Sequence, residues 1–104
     1  MEVGAWLGVN DPARPVDPIA LALFCDALYS PPFVRMTAPA TSPTIDLTIH
    51  FRSHAAGAGA HGLCFAHFRS RTVNEGFFEE DGAVFSADGT LLAQSRQLAI
   101  LLPL

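Results

Sequence analysis

Ile19-Ala-Leu-Ala-Leu-Phe-Cys-Asp-Ala-Leu-Tyr29 carries a single charge, Asp26. At about 100° per residue these side chains leave no polar face, so the stretch reads as a helix buried on most sides. Asp17 stands where an N-cap is needed and Pro18 at the first helical position, which together mark the start. Ser30-Pro31-Pro32 marks the stop, because a residue before proline is pushed out of the helical region. A carboxylate inside such a helix is costly unless hydrogen bonds or charges satisfy it. That cost makes Asp26 a candidate functional residue.

The remaining segments read as strands and turns. Residues 3–8 form a short edge strand, and 9–16 a proline-rich connector to the helix. Residues 30–43, with four prolines, form an extended connector on the other side. Thr44 to Arg52 alternates without a break. Ile45, Leu47, Ile49 and Phe51 share one face, while Thr44, Asp46, Thr48, His50 and Arg52 share the other. Ala55 to Ala60 is a small-residue loop whose glycine spacing fits no phosphate-binding fingerprint. Leu63 to Val73 is a strand, followed by a hairpin turn at Asn74-Glu75-Gly76. Phe77 to Ser86 is the next strand, with a bulge or bend expected at Glu79-Glu80-Asp81-Gly82. Ala87-Asp88-Gly89-Thr90 makes a further turn into a last strand, Leu91 to Leu102.

The order predicts one helix followed by four strands in an antiparallel meander. With no second helix to pack on, the helix can be covered only if the sheet curls around it. The expected fold is therefore α+β, a hotdog: one buried helix wrapped by a curled antiparallel sheet of about five strands, forming a single domain over residues 1–104.

Composition narrows the function. Half of the 104 residues are hydrophobic and 15% are charged, too apolar for a disordered chain. The surface is then short of charge for a lone monomer, and a partner is expected to cover part of it. A net charge of −4 with no lysine argues against nucleic-acid binding. No segment approaches the roughly 18 apolar residues of a membrane span, and no targeting signal is visible. Cys25 and Cys64 sit in apolar runs, as buried reduced thiols do, which fits the cytoplasm.

If the sheet wraps the helix, Asp26 needs partners on the inner face of the strands. In the last strand Leu91, Ala93, Ser95, Gln97, Ala99 and Leu101 share a face, so Gln97 is a polar amide among small and apolar neighbours. The strand after the long connector offers Thr44 or Asp46 near its start. A carboxylate, a hydroxyl and an amide can hold and polarise a water, with the carboxylate as general base. That chemistry calls for no cofactor, but needs a reactive substrate. An open alternative has Gln97 as a satisfied core amide and Asp26 at an interface.

Three segments carry a family likeness: Pro15–Leu28, Pro43–Arg52 and Asp88–Leu98. They resemble the type II acyl-CoA thioesterases, and more closely the C-terminal hotdog of that double-hotdog family. The resemblance implies hydrolysis of acyl-CoA thioesters by a water oriented by an Asp on the hotdog helix, a Thr opening the next strand and a Gln in the final strand. By position in the motifs these are Asp26, Thr44 and Gln97. It also implies pairing, since family members carry two hotdogs and this sequence contains one. The chain is thus expected to be a fragment, a split enzyme or a self-pairing homodimer. Strict alternation, however, puts Thr44 on the polar face of its strand, away from the helix. Thr44 reaches Asp26 only if Pro43 bends the strand mouth or the site opens at that end.

Arg52, Arg69 and Arg71 are the candidate cations for the phosphates of coenzyme A, against a default of solvated strand ends. His50, His54, His61 and His67 suggest a metal cluster. Their spacing on a strand and loop does not converge the imidazoles, and no metal site is expected. Glu79-Glu80-Asp81 reads as a solvated bend protecting an edge. The rival to an enzyme is a non-catalytic hotdog, an assembly or acyl-CoA-binding module. A hotdog hydratase ranks last, because no His follows Asp26 at short range.

Overall fold

The computed structural model of the chain describes residues 1–11, 15–53 and 62–104. The Ala55–Ala60 loop, His54, His61 and part of the 9–16 connector lie outside the described residues. In chain order the elements are β1 (Glu2–Leu7), α1 (Pro18–Phe24), a 3₁₀ helix (Pro31–Arg35), β2 (Ala40–Thr41), β3 (Thr44–Phe51), β4 (Cys64–Arg69), β5 (Val73–Asn74), β6 (Phe77–Phe85), β7 (Leu91–Ile100) and β8 (Leu102–Pro103).

Six strands form one antiparallel sheet in the order β1-β4-β6-β7-β3, with β5 beside β6. The helix lies on its inner face. Ala20, Leu21, Phe24 and Cys25 form one core with Val3, Cys64, Ala66, Phe68, Val84, Leu92 and Ala93. This is the hotdog arrangement. Asp17 caps α1 as expected, its Oδ1 accepting from the Ala20 N–H at 2.8 Å, with Pro18 in the first turn.

Four expectations need correction. The helix is short and ends at Phe24 rather than Tyr29, with Cys25 as its C-cap. Pro31 and Pro32 are both buried and hold the next segment in a 3₁₀ helix, which an α-helix cannot run into. The helix is also covered on one side only: Ile19 is 73% and Leu23 60% exposed. The 30–43 connector is not simply extended, since it holds the 3₁₀ helix and β2, which pairs with β8. Finally, the meander holds for β4, β6 and β7, but β3 lies at the far edge beside β7. Tight turns dictate neighbours only for strands they join, and the β3–β4 link is too long to do so.

The β5–β6 turn is a two-residue hairpin, with Glu75 at φ 54° and Gly76 at φ 84°. Such left-handed values match the primed turns that suit twisted hairpins. β6 then runs from Phe77 to Val84 in unbroken register with β7, so no bulge interrupts Glu79–Gly82. The absence of a side chain at Gly82 matters: a Cβ there would come within 2.7 Å of the Phe68 ring and would crowd Ser95.

Candidate active site

The site is built where the ends of α1, the connector, β3, β6 and β7 meet. Asp26 follows the C-cap of α1 in a turn whose Asp26 N–H donates to Leu23 O at 3.1 Å. It is therefore an exposed residue just past the helix and not a charge within a buried one. Its side chain stands in solvent, so no desolvation cost falls on it. Ser30 and Ser42 hydroxyls bond each other at 2.6 Å and close the connector, which brings Pro43 and Thr44 beside the end of α1.

Thr44 reaches the inner face through a β-bulge. Thr44 is paired with Ala99 and Asp46 with Leu98, so Ile45 is an extra residue with no partner of its own on β7. One inserted residue reverses side-chain parity. Thr44 consequently shares the face of Leu47, which lies opposite Gln97, while Ile45 is turned out and is 51% exposed. The conflict left by strict alternation is resolved by the bulge.

Gln97 sits on β7 between Leu47 of β3 and Glu80 of β6. The Thr44 hydroxyl donates to Gln97 Oε1 at 2.7 Å. The Gln97 Nε2–H donates to Glu80 Oε2. Asp26, Tyr29, Ser42, Thr44, Glu80 and Gln97 line one cleft of about 320 Å³. All three sequence-derived residues, Asp26, Thr44 and Gln97, thus face the same space.

Glu80 was missed. The segment Glu79–Asp81, read as a solvated bend, is continuous strand, and Glu80 is only 5% exposed. The signal was period-two parity: with the strand unbroken, Phe78, Glu80, Gly82 and Val84 share a face, and all are buried. Burial pushes the Glu80 carboxyl up to about 7; the Gln97 hydrogen bond opposes the rise and the Asp26 charge adds to it. Cys25 is raised too, chiefly by burial, against a Ser95 hydrogen bond and with the charges of Asp26 and Glu80 adding. It is a protonated thiol at neutral pH, unsuited to act as a nucleophile.

The three arginines are elsewhere. Arg52 donates to Gln94 Oε1, Arg69 lies 3.9 Å from Glu2, and Arg71 donates to Asp81 at 2.9 Å. None of them lines the cleft. Asp81 also takes two hydrogen bonds from Arg96, at 2.7 Å each. The bond from Arg96, above all, holds the Asp81 carboxyl below its ordinary value. His67 Nε2 is 3.3 Å from Glu2, and among the described residues no three ligands gather as a metal site would require.

A family described as acyl-CoA thioesterase C-terminal domain matches residues 1–101. The chain belongs to that family. No curated protein matches this family member at a significant level. Among solved structures, it resembles a conserved hot dog fold protein of unknown function from Alicyclobacillus acidocaldarius, at 28% identity and a TM-score of 0.85. It also resembles a candidate thioesterase II from Thermobifida fusca YX, at 30% identity and a TM-score of 0.79. Both likenesses cover 96% of the thioesterase-family chain, which spans 38% and 37% of those two proteins. A tesB protein of Mycobacterium avium subs paratuberculosis shares the fold at 20% identity and a TM-score of 0.75, over 98% of this chain and 42% of that one.

Proposed function

We propose that this domain contributes the water-activating site of an acyl-CoA thioesterase. What supports the reading is the Thr44–Gln97 hydrogen bond inside a cleft that Asp26 also lines, in a chain of this family. The Thr44 hydroxyl has spent its hydrogen on Gln97, so its oxygen is free to accept from a water. Asp26 accepts the other hydrogen of that water, which leaves an oxygen lone pair aimed at the thioester carbonyl carbon.

The step balances as a hydrolysis. The water oxygen bonds to the carbonyl carbon while its proton passes to Asp26. The tetrahedral intermediate then collapses, the C–S bond breaks, and the proton goes on to the departing thiolate. The products are a free fatty acid and coenzyme A. The cleft supplies no thiol nucleophile, since Cys25 is buried and protonated.

A second hotdog completes the substrate path in this proposal, either another copy of the chain or another domain. The exposed Ile19 and Leu23 on α1 are apolar surface that such a partner would cover. Arg52, Arg69 and Arg71 could then serve the coenzyme A phosphates only by exchanging their present partners, outside the cleft. Hydrolysis of a panel of acyl-CoAs by the purified chain, alone and with a partner hotdog, tests the reading. Asp26→Ala is expected to lower kcat by a factor on the order of 10². Equal rates for the variant and the wild type would remove Asp26 from the mechanism. Binding without turnover would leave a non-catalytic hotdog.

A further inference from the structure

Glu80 faces a cleft with no cation in its lining, on a strand where its two neighbours point the other way. Glu79 accepts from the Arg71 and Thr72 backbone N–H groups, and Asp81 binds Arg71 and Arg96. The titratable groups turned toward Glu80 are Asp26 and Cys25 at the end of α1, and Tyr29, just before the connector, shares the cleft. β4 ends with Arg69 opposite Asp81 and β5 pairs with Phe77 and Phe78, so neither sets a charged residue opposite Glu80, while β7 contributes Gln97 and β3 contributes Thr44, both uncharged. A buried carboxylate beside another carboxylate, with the uncharged Gln97 amide as its hydrogen-bond donor, is unfavourable for stability. Its neighbours on the same face of β6, Phe78 and Val84, are apolar and buried.

What the carboxylate does is set a direction. An ionised carboxylate only accepts hydrogen bonds. Gln97 must therefore present its NH₂ to Glu80, which turns Oε1 toward Thr44 and makes the Thr44 hydroxyl a donor to it. The Thr44 oxygen is then left facing the cleft as an acceptor. If Glu80 instead carries a proton, its O–H can donate to Gln97 Oε1. The amide can turn round, its NH₂ then faces Thr44, and the Thr44 O–H is released into the cleft as a donor. The two arrangements offer a water opposite polarity.

We infer that Glu80 is a positioning residue, whose carboxylate fixes the Thr44–Gln97 relay in the direction that accepts a hydrogen from the attacking water. The inference rests on the thioesterase reading for its consequence, but the relay itself is a property of the fold. The Glu80 carboxyl, raised to about 7, would place the change of direction in the neutral range.

Two measurements on the full chain test it. The first follows the Gln97 side-chain NH₂ resonances by NMR, identified by their loss in Gln97→Leu, between about pH 5.5 and about pH 8.5. They are expected to shift with a midpoint near neutrality in the wild type and to stay fixed in Glu80→Gln. The second is the dependence of kcat on pH. In the wild type kcat is expected to rise through the same range, and in Glu80→Gln to be lower by a factor on the order of ten without that rise, KM being little changed. Gln97 resonances that do not move in the wild type would overturn the inference. So would a Glu80→Gln variant with the wild-type rate and pH profile. A wild type that hydrolyses no acyl-CoA while its Gln97 titrates would sink the thioesterase reading and support the relay.

Discussion

At the scale of single residues, two carboxylates exchange the parts the sequence suggests for them. Asp26, read as a buried charge, is exposed past the end of α1, while Glu80, read as solvated, is buried. Both readings failed for one reason: burial depends on where an element ends and how it pairs, which local composition does not report. The burial of Glu80 has a thermodynamic consequence. Its carboxyl is raised to about 7 on folding from 4.5, so the folded chain holds this proton more tightly than the unfolded one. The contribution to stability is therefore complete below about 4.5 and is lost as pH rises through about 7. Thermal melts should show the wild type losing Tm between these limits, with Glu80→Gln losing less. Parallel Tm–pH curves would show that Glu80 is not the group responsible.

At the scale of elements, β3 and β6 decide the site. Parity placed Gln97 correctly, because β7 is regular across the stretch that faces Glu80. It failed for Thr44, because the bulge at Ile45 inverts the pattern at that end. A bulge adds no distinctive residue type here, since Ile45 continues the alternation of Leu47 and Ile49 and only the pairing register reveals it. β6 depends on Gly82, which leaves room for the Phe68 ring across the sheet. Gly82→Ala should destabilise the chain by about 1–3 kcal/mol through overpacking. Urea unfolding measures this, and an unchanged midpoint would mean that Phe68 moves aside freely. Asp17 and Pro18 were legible because a helix start is a local event, settled by groups within one turn.

For the whole molecule, the exposed side of α1 is apolar surface of the kind a partner covers. The sheet buries Leu21, Phe24 and Cys25 but leaves Ile19 and Leu23 in solvent. The chain spans 38% and 37% of two proteins that it resembles. Pairing through this side predicts that Leu23→Arg weakens self-association by on the order of tenfold or more, by setting an unpaired charge into the contact. Analytical ultracentrifugation of wild type and variant measures it. A wild type that is monomeric at every concentration would exclude self-pairing, and a separate partner hotdog would then have to be supplied.

The sequence by itself determined what neighbouring residues can settle. That includes the cap at Asp17, the hairpin turns at Glu75-Gly76 and Gly89, the inward parity of Gln97 and the antiparallel α+β class. Hydrogen bonds and steric limits within a few residues govern the cap and the turns, and alternation within single strands governs the parity and the class. The tertiary structure alone decided the crossing of β3 to the far edge, the inversion of Thr44 by an unpaired Ile45, the early end of α1 and the burial of Glu80 against Gln97. These arise from pairing and packing between segments distant in the chain. Their energies depend on which groups meet and not on the residues on either side.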